Sequence, residues 1–505
     1  MGTDFDIQPP NEDFHSEMDE SLPIEPDVED NPVVTVKDCI KQIVISCVAF
    51  SIVIQVGANM SFSAILVPQL SEDDDLHINK SEASWIASLI AIALPLGSLT
   101  VGILMDTIGR KLLTILITIP YIISWILQIF ATELWHIYLA RIIAGYTGGL
   151  TTVAIVYVSE VSHPSFRQAL LSLNSVFVSL GVLVCYFFGT MIKWKLTAVV
   201  MCFIAIVTII TMFFMPESPY WYLIFKNDYN RALRSFRWIY KSNSICHSQY
   251  QHLLSIKAKK MNVTTAKTTI SEYIRSIIQI YTEKSVYKPT FILMLLFIAQ
   301  QITGGYVIIF YATDIFRKLN RQHSNKEMSD FASLVMLGII RFLTSVVSAL
   351  ISKNFGRRTI MILSGVGMAI FSFFAAAYIS FTLFQDEKTS DALIKNYETI
   401  NIAFIFMLGY VAFGSLGFLV IPWALIGELL PVKVRGVVGG CLISFAYLVM
   451  FLFLKLFPSI LDSFEMQSIL YALSVLNLFS VMFVYYYLPE TLGRNFSEIE
   501  EYFEK

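Results

Sequence analysis

Long apolar runs separated by short polar connections dominate the chain. Twelve runs are each about twenty residues long, enough to cross roughly 30 Å of hydrocarbon at about 1.5 Å per helical residue. The predicted spans are 42–66, 83–104, 112–131, 136–158, 170–191, 196–215, 290–313, 330–352, 359–384, 400–426, 437–460 and 467–488. A polar segment between the sixth and seventh spans predicts short amphipathic helices in the cytosol. The pattern therefore predicts an all-α membrane protein with twelve transmembrane helices.

Three polar signatures occur twice, at separations of 247, 268 and 273 positions. They are Gly109-Arg110-Lys111 with Gly356-Arg357-Arg358, the pair Glu160 and Arg167 with the pair Glu428 and Arg435, and Pro216-Glu217-Ser218 with Pro489-Glu490-Thr491. Two pseudo-symmetric six-helix halves account for all three repeats. The predicted divisions are a tail at 1–38, a first half at 39–216, a linker at 217–287, a second half at 288–488 and a C-terminal tail at 489–505.

The repeated charges predict a gate. Each Glu lies seven residues before its Arg, which places both on one face of a continuing helix at the membrane edge. These charges either anchor loops in the headgroup region or form two networks on the cytosolic side, and the repetition favours the networks. The predicted networks are Asp106, Arg110, Glu160 and Arg167 in one half, and Arg357, Arg358, Glu428 and Arg435 in the other. They could hold the halves together when the outer side is open, as in alternating-access carriers.

Composition narrows the class of protein further. The chain is 55% hydrophobic and 15% charged, against roughly 45–50% and about 25% for soluble domains, which excludes a single soluble domain. Residues 1–36 hold eleven Asp and Glu and no Lys or Arg, which predicts a disordered cytosolic tail. No apolar run precedes Ile40, so no cleaved signal peptide is expected.

The sequence contains no signature of a metal, cofactor or nucleic-acid site. Six cysteines are scattered without a CxxC pair or a Cys/His cluster, so they are interpreted as apolar packing residues, and no metal or cofactor is expected. Basic residues are dispersed, which excludes nucleic acid as a partner. The expected partners are a small-molecule substrate and the lipid bilayer, with no obligate protein partner.

Orientation is weakly determined by the sequence. Lys and Arg in the short connections divide eight to nine between the two sides, whereas the long central segment adds twelve and favours the cytosol. Asn79-Lys80-Ser81 is a glycosylation sequon in the predicted first outer loop. We therefore expect both termini in the cytosol and a glycan on Asn79.

Six motifs, in order from about Lys41 to Tyr502, resemble the sugar porter family of the major facilitator superfamily. They are Gly102 to Lys111, Tyr157-Val158-Ser159-Glu160 with Pro164 and Arg167, Pro216-Glu217-Ser218-Pro219-Tyr220-Trp221, Gln300-Gln301-Ile302-Thr303-Gly304, Pro422-Trp423 to Glu428 with Arg435-Gly436, and Pro489-Glu490-Thr491-Leu492-Gly493. Within the family the chain is most similar to the insect facilitated trehalose transporters and their paralogues. The resemblance implies the major facilitator fold and a multi-pass protein of the plasma membrane.

The resemblance also implies a central sugar site. In it Gln300 and Gln301 hydrogen-bond sugar hydroxyls and Trp423 stacks on the ring, since an amide both donates and accepts and an aromatic face suits C–H patches. The alternatives are that both glutamines join neighbouring helices and that Trp423 is a packing or interfacial residue.

Several residues depart from the family pattern at positions that bear on the substrate. Tyr306 stands where the family usually has Asn, Leu419 and Val420 replace a Gly and a Pro, and Ala446-Tyr447 replaces an Asn-Trp pair. Changed hydrogen-bonding groups alter selectivity more than fold. Asn59, Tyr306 and Tyr447 complete the predicted substrate-binding set.

The predicted mechanism is uniport of trehalose or a hexose such as glucose. Proton coupling needs a titrating carboxylate in the cavity, and the first span contains Asn59 and no acid. No GxxxxGK[ST] loop is present, so ATP drive is not expected. A proton-coupled sugar or polyol symporter and a non-transporting sugar sensor remain alternatives. No catalytic constellation is present, so the chain is not expected to be an enzyme.

Arg341, inside the eighth span, is either functional or a structural partner of a neighbouring polar group.

Overall fold

Twelve helices long and apolar enough to cross a membrane make up most of the molecule. The computed structural model describes residues 40–72, 78–240, 242–264, 282–319, 327–351, 355–386, 392–431, 434–492 and 496–504. In chain order, spans 1 to 12 are Ile40–Ser71, Lys80–Ile108, Arg110–Ile129, Leu134–Val161, Phe166–Met191, Trp194–Phe213, Lys284–Ile302, Ala332–Ile351, Arg357–Phe381, Ile402–Leu429, Val437–Ser463 and Met466–Tyr487. The protein is thus an all-α, multi-pass membrane protein, as predicted, and the acidic tail lies outside the described residues.

The spans pack as two groups of six that meet along two helix pairs. Span 1 packs along span 5 and span 2 along span 4 in the first group, while span 9 packs against spans 10 and 12 in the second. Between the groups, span 2 lies along span 11 and span 5 along span 8. The halves therefore face each other across spans 2, 5, 8 and 11.

Spans 1 and 5 approach at backbone distance because each carries a glycine at the crossing. A Cβ on Gly57 would lie 1.9 Å from the carbonyl oxygen of Val178, and one on Gly181 would lie 2.1 Å from that of Ile54. Small residues at such crossings let membrane helices gain van der Waals contact that lipid cannot supply. Large apolar side chains such as Leu96, Ile103 and Phe203 are exposed on the outside of the bundle, where lipid covers them.

Two spans are interrupted near the middle of the second half. The apolar helix of span 7 ends at Ile302, Gly304 adopts a left-handed conformation with φ of 75°, and helices Gly305–Phe310 and Ala312–Leu319 follow. The structure has this span at Lys284–Ile302 instead of the predicted 290–313, and the break after Ile302 was not predicted because an apolar run does not reveal a left-handed residue. The helix of span 10 ends at Leu416 and restarts at Ile421–Leu429, with a turn at 417–420.

The polar linker carries short helices at Pro219–Ile224, Tyr229–Ile239 and Asn243–Thr264. Helix Tyr229–Ile239 buries Ala232, Phe236 and Ile239 against the core of the first half. Residues 265–281 of the linker lie outside the described part. A last helix, Phe496–Glu504, packs against the start of span 7. The five described cysteines, Cys47, Cys185, Cys202, Cys246 and Cys441, are all free.

Candidate functional site

The interruptions of spans 7 and 10 lie against each other. The amide Nε2 of Gln300 donates to the carbonyl oxygen of Phe418 at 2.7 Å, and the hydroxyl of Tyr306 donates to that of Leu419 at 3.4 Å. Both acceptors belong to the turn at 417–420 that separates the two helices of span 10. Gln300 is fully buried, and its Oε1 has no hydrogen-bond partner in the described part of the chain. The junction therefore presents a free acceptor deep in the bundle.

An aromatic cluster borders this junction. The indole Nε1 of Trp423 donates to the hydroxyl of Tyr306 at 2.9 Å. The ring of Trp423 lies 5.2 Å from that of Tyr447 and 5.0 Å from that of Phe297, centroid to centroid. Trp423 itself is only partly buried, so part of its surface remains available for contact with a solute. Tyr306 thus provides a hydrogen-bonding group at this position, and its hydroxyl orients the indole of Trp423.

The predicted substrate-binding residues divide between the two halves. Gln300, Tyr306, Trp423 and Tyr447 come together in the second half through the contacts above. Gln301 is 2% exposed in the last turn of span 7.

Asn59 lies in span 1 of the first half. Its Nδ2 donates to the carbonyl of Gln55 at 2.9 Å, and its buried Oδ1 has no partner among the described residues. Span 1 also contacts helix Gly305–Phe310, which connects the first half to the interruption of span 7.

The sequence analysis missed Arg141, a fully buried residue of span 4. Its Nη1 donates to the carbonyl oxygen of Asn59 at 2.9 Å, and its guanidinium lies 5.3 Å from the ring centre of Phe62. Its Nε and Nη2 have no hydrogen-bond partner in the described part of the chain. The rule that singled out Arg341, a cation inside a predicted span, applies equally to Arg141 and would have found it.

The first charge network surrounds Arg110 at one end of the bundle. We call this end of the bundle the network end. Nη2 of Arg110 lies 2.9 Å from Oε1 of Glu160 and 3.3 Å from Oδ1 of Asp106. Glu160 also accepts from the hydroxyl of Ser218 at 2.5 Å. Glu217 accepts from the backbone N–H groups of Arg110 and Lys111, both at 2.9 Å, and so caps span 3.

The second half repeats this geometry. Nη2 of Arg357 lies 2.9 Å from Oε1 of Glu428, and Glu428 accepts from the hydroxyl of Thr491 at 2.6 Å. Glu490 accepts from the backbone N–H of Arg357 at 2.8 Å, as Glu217 does from Arg110. The repeated Pro-Glu-Ser and Pro-Glu-Thr motifs signalled these members, but the sequence analysis did not place them in the networks.

Other predicted gate residues stand apart. Arg167 donates only a long bond of 3.4 Å to the carbonyl of Ser162, and Arg358 bonds the carbonyl of Tyr485 and lies over its ring. In the described structure neither arginine is paired with a carboxylate, and their part in the gate stays a prediction. The side chain of Arg435 lies outside the described residues. Burial and the charge of Arg167 lower the pKa of His163, so this histidine adds no positive charge at neutral pH.

Bonds between the halves run from the middle of the bundle to the opposite end, which we call the Asn79 end. Ser98 and Ser444 share a hydrogen bond of 2.9 Å, as do Ser179 and Ser345 at 2.7 Å. Further contacts nearer the Asn79 end include Tyr186 with the carbonyl of Ile309, Thr313 with that of Ala64, and the ion pairs Lys80–Asp462 and Arg317–Glu72, both at 2.8 Å. The conformation is therefore closed at the Asn79 end. Each charge network, by contrast, joins helices of one half.

Asn79 is exposed and caps span 2. Its side chain accepts from the backbone N–H of Glu82 at 2.9 Å, and the carboxylate of Glu82 accepts from the backbone N–H of Asn79 at 2.8 Å. This capping box uses the amide oxygen and leaves the nitrogen, the atom a glycan would modify, out of the cap. Glycosylation at this position stays a prediction.

A separate groove of about 790 Å³ lies at the network end, between the start of span 7, the end of span 12 and helix Phe496–Glu504. Its lining is apolar and aromatic, including Val286, Phe291, Tyr487 and Phe503. It contains no amide side chain, so it suits a lipid better than a hydroxyl-rich solute. Among the described residues, no group of three His, Cys, Asp or Glu could hold a metal ion.

Comparison with known proteins gives consistent results. The family model for sugar (and other) transporters matches residues 44–503. The chain is 26% identical to the facilitated trehalose transporter Tret1 of Bombyx mori, covering 84% of this chain and 80% of that protein. It is 27% identical to the solute carrier family 2 facilitated glucose transporter member 6 of Mus musculus, covering 88% of each.

Among solved structures, the chain is similar to the major facilitator superfamily proton:xylose symporter XylE bound to 6-bromo-6-deoxy-D-glucose. The TM-score is 0.72 at 18% identity, over 92% of this chain and all of that one. At this identity the likeness bears on the fold alone, and it agrees with the major facilitator architecture predicted from the repeats.

Proposed function

The chain belongs to the sugar (and other) transporter family, and from this premise we propose that it carries a sugar across the plasma membrane by facilitated alternating access. Trehalose and a hexose such as glucose are the first candidates, because relatives that match most of the chain are named for these sugars. The network end faces the cytosol in this proposal, with both termini on that side and Asn79 outside.

One observation carries the proposal. The free, buried Oε1 of Gln300 lies at the junction of two interrupted spans, next to the partly exposed ring of Trp423. Broken helices at the midplane are where transporters of this general design bind their solutes. A buried acceptor without a partner is unfavourable until a donor reaches it, and a sugar hydroxyl is such a donor.

The charge distribution supports uniport. Asp106, Glu160 and Glu428 accept from arginines in the networks and are not free to carry protons through a cavity. The groups around Arg141 in the described structure are the Asn59 carbonyl, the Phe62 ring and the Cys185 thiol, none of which is a carboxylate. A proton-coupled carrier would need a titrating acid in such a place.

Uptake into oocytes tests the proposal. Labelled glucose or trehalose should enter cells that express the chain faster than water-injected cells, and cytosolic pH should stay constant when the sugar is added. Acidification on addition would favour a proton-coupled carrier instead. A lack of uptake of every sugar tested, with the protein demonstrated at the surface, would contradict transport and favour a sensor.

A further inference from the structure

Arg341 lies at the middle of span 8, on the face that meets the first half. Gly338 and Ser345 flank it on the same helical face, since positions three and four residues away neighbour each other on a helix. A Cβ on Gly338 would lie 3.1 Å from Cα of Leu183, and Ser345 bonds Ser179. Arg341 therefore lies between two contacts with span 5, at the interface of the halves, and only 4% of its surface is exposed.

The neighbours of Arg341 belong to the candidate sugar site. A Cβ on Gly338, one turn before Arg341, would lie 3.4 Å from the ring of Tyr186, and the phenols of Tyr186 and Tyr306 lie close enough to the guanidinium to interact with its charge. Tyr306 holds the indole of Trp423, and Tyr186 donates its proton to the carbonyl of Ile309 at 2.7 Å. The guanidinium is thus beside the same aromatic cluster that borders Gln300.

Arg341 lacks a compensating anion. Its Nη1 is buried with no hydrogen-bond partner in the described part of the chain, and no ion pair joins it to a described carboxylate. The acids of the described spans lie at their ends, as Glu82, Asp106, Glu160 and Glu428 do. A guanidinium stays protonated in proteins, and an unpaired charge inside a membrane protein is unfavourable and a functional candidate by default.

Arg141 shows how the chain stabilises such a group when it is structural. It lies against span 1, where its guanidinium meets the carbonyl of Asn59 and the ring of Phe62. Arg141 has a backbone carbonyl and a ring face from its own half, although two of its nitrogens are also unpartnered. Arg341, by contrast, has no acceptor for its guanidinium among the described residues.

We propose that the site selects a sugar that carries a carboxylate, such as a hexuronate or an aldonate, and that Arg341 binds this carboxylate. The planar guanidinium matches a carboxylate with two parallel hydrogen bonds. The hydroxyls of the same solute supply the donor that Oε1 of Gln300 lacks, and its ring or chain lies against Trp423. This inference rests on the proposed transport function and refines its substrate class from neutral sugars to sugar acids.

The first test uses the unmodified chain in oocytes. Labelled glucuronate is the tracer, and unlabelled glucuronate, its neutral methyl ester and glucose are the competitors. Glucuronate should compete at least about tenfold better than the ester or glucose, which is the scale of one hydrogen bond to a charged group. Equal competition by glucuronate and its ester would overturn the inference, since the ester keeps the ring and the hydroxyls but lacks the negative charge that Arg341 binds.

The second test changes Arg341. Arg341→Gln should lower glucuronate uptake about tenfold or more while keeping or raising glucose uptake, and Arg341→Lys should retain part of the glucuronate uptake. Lys195→Gln is the matched control, because it removes an exposed cation at the surface of the bundle. Surface labelling of each variant separates loss of binding from loss of folding. If Arg341→Gln does not reach the surface, the competition experiment with the unmodified chain still tests the inference.

The outcomes separate the inference from the function on which it rests. Uptake of glucose or trehalose without uptake of glucuronate overturns the sugar-acid inference and leaves facilitated sugar transport in place. Glucuronate uptake that Arg341→Gln leaves unchanged overturns the role of Arg341. Absence of uptake of neutral and acidic sugars alike, with the protein at the surface, overturns both.

Discussion

Gln300 uses the two ends of its amide for different purposes. Its Nε2 donates to the Phe418 carbonyl and so fastens span 7 to the turn of span 10, while its Oε1 is left unpaired in the interior. A buried acceptor without a partner costs about 1–3 kcal/mol. The side chain therefore combines the two interpretations that the sequence left open, helix contact and solute binding, in one group.

We predict that Gln300→Ala lowers uptake of the carried solute about tenfold at concentrations below its KM. The variant loses both the solute's acceptor and the bond that orders the turn of span 10, together about 1.4 kcal/mol or more. Tracer uptake per molecule at the cell surface is the measurement. Gln128→Ala is the control, since Gln128 is fully buried but bonds within its own span 3. Unchanged uptake in Gln300→Ala would remove Gln300 from the site.

At the scale of single residues, the sequence identified Gln300 and Trp423 because they stand in a recognisable motif order. It could not foresee that Tyr306 accepts the indole proton of Trp423, because the two residues are 117 positions apart and the bond depends on how two interrupted spans pack. It also passed over Arg141, whose carbonyl acceptor at Asn59 becomes visible only in three dimensions.

The interrupted spans are the elements on which the site depends. Apolar length predicted the existence of all twelve spans, because the thickness of the hydrocarbon fixes the length of an apolar helix. The interruptions escaped prediction, because a break inside an apolar run depends on the backbone conformation of one residue. Gly304 is that residue in span 7, with φ of 75°. Only glycine adopts this conformation without cost.

Gly304→Ala is therefore expected to destabilise the protein by about 1–2 kcal/mol, the cost of a left-handed conformation for a residue with a Cβ. The new methyl group would also lie 3.0 Å from a side-chain carbon of Leu473. The midpoint of thermal unfolding in detergent, followed by fluorescence-detected chromatography, is the measurement.

Gly102→Ala provides the comparison for this variant. A Cβ at Gly102 meets nothing within 4 Å, so its midpoint should equal or exceed that of the unmodified chain. Equal midpoints for the Gly304 and Gly102 variants would show that the interruption of span 7 does not need a glycine.

The whole molecule combines two internally fastened halves with a closed Asn79 end. In each half an arginine, two glutamates and a hydroxyl residue form the same network, with Arg110 and Arg357 as the matching arginines. These ion pairs join the helices within one half, so each half can move as a rigid body. The bonds between halves, such as Tyr186 with Ile309, are neutral or exposed and so are individually weak. A structure of this kind suits exchange between two conformations around a central site.

Counterflow in proteoliposomes measures exchange through a single alternating site. Vesicles that contain the purified full chain are loaded with unlabelled solute, either glucose or glucuronate, and diluted into a trace of the same labelled compound. We expect label to accumulate transiently inside above the external concentration, and this accumulation to be lost in Gln300→Ala, because an alternating site must exchange one molecule for another. Label that enters loaded and empty vesicles at the same rate, or that does not enter at all, would contradict it.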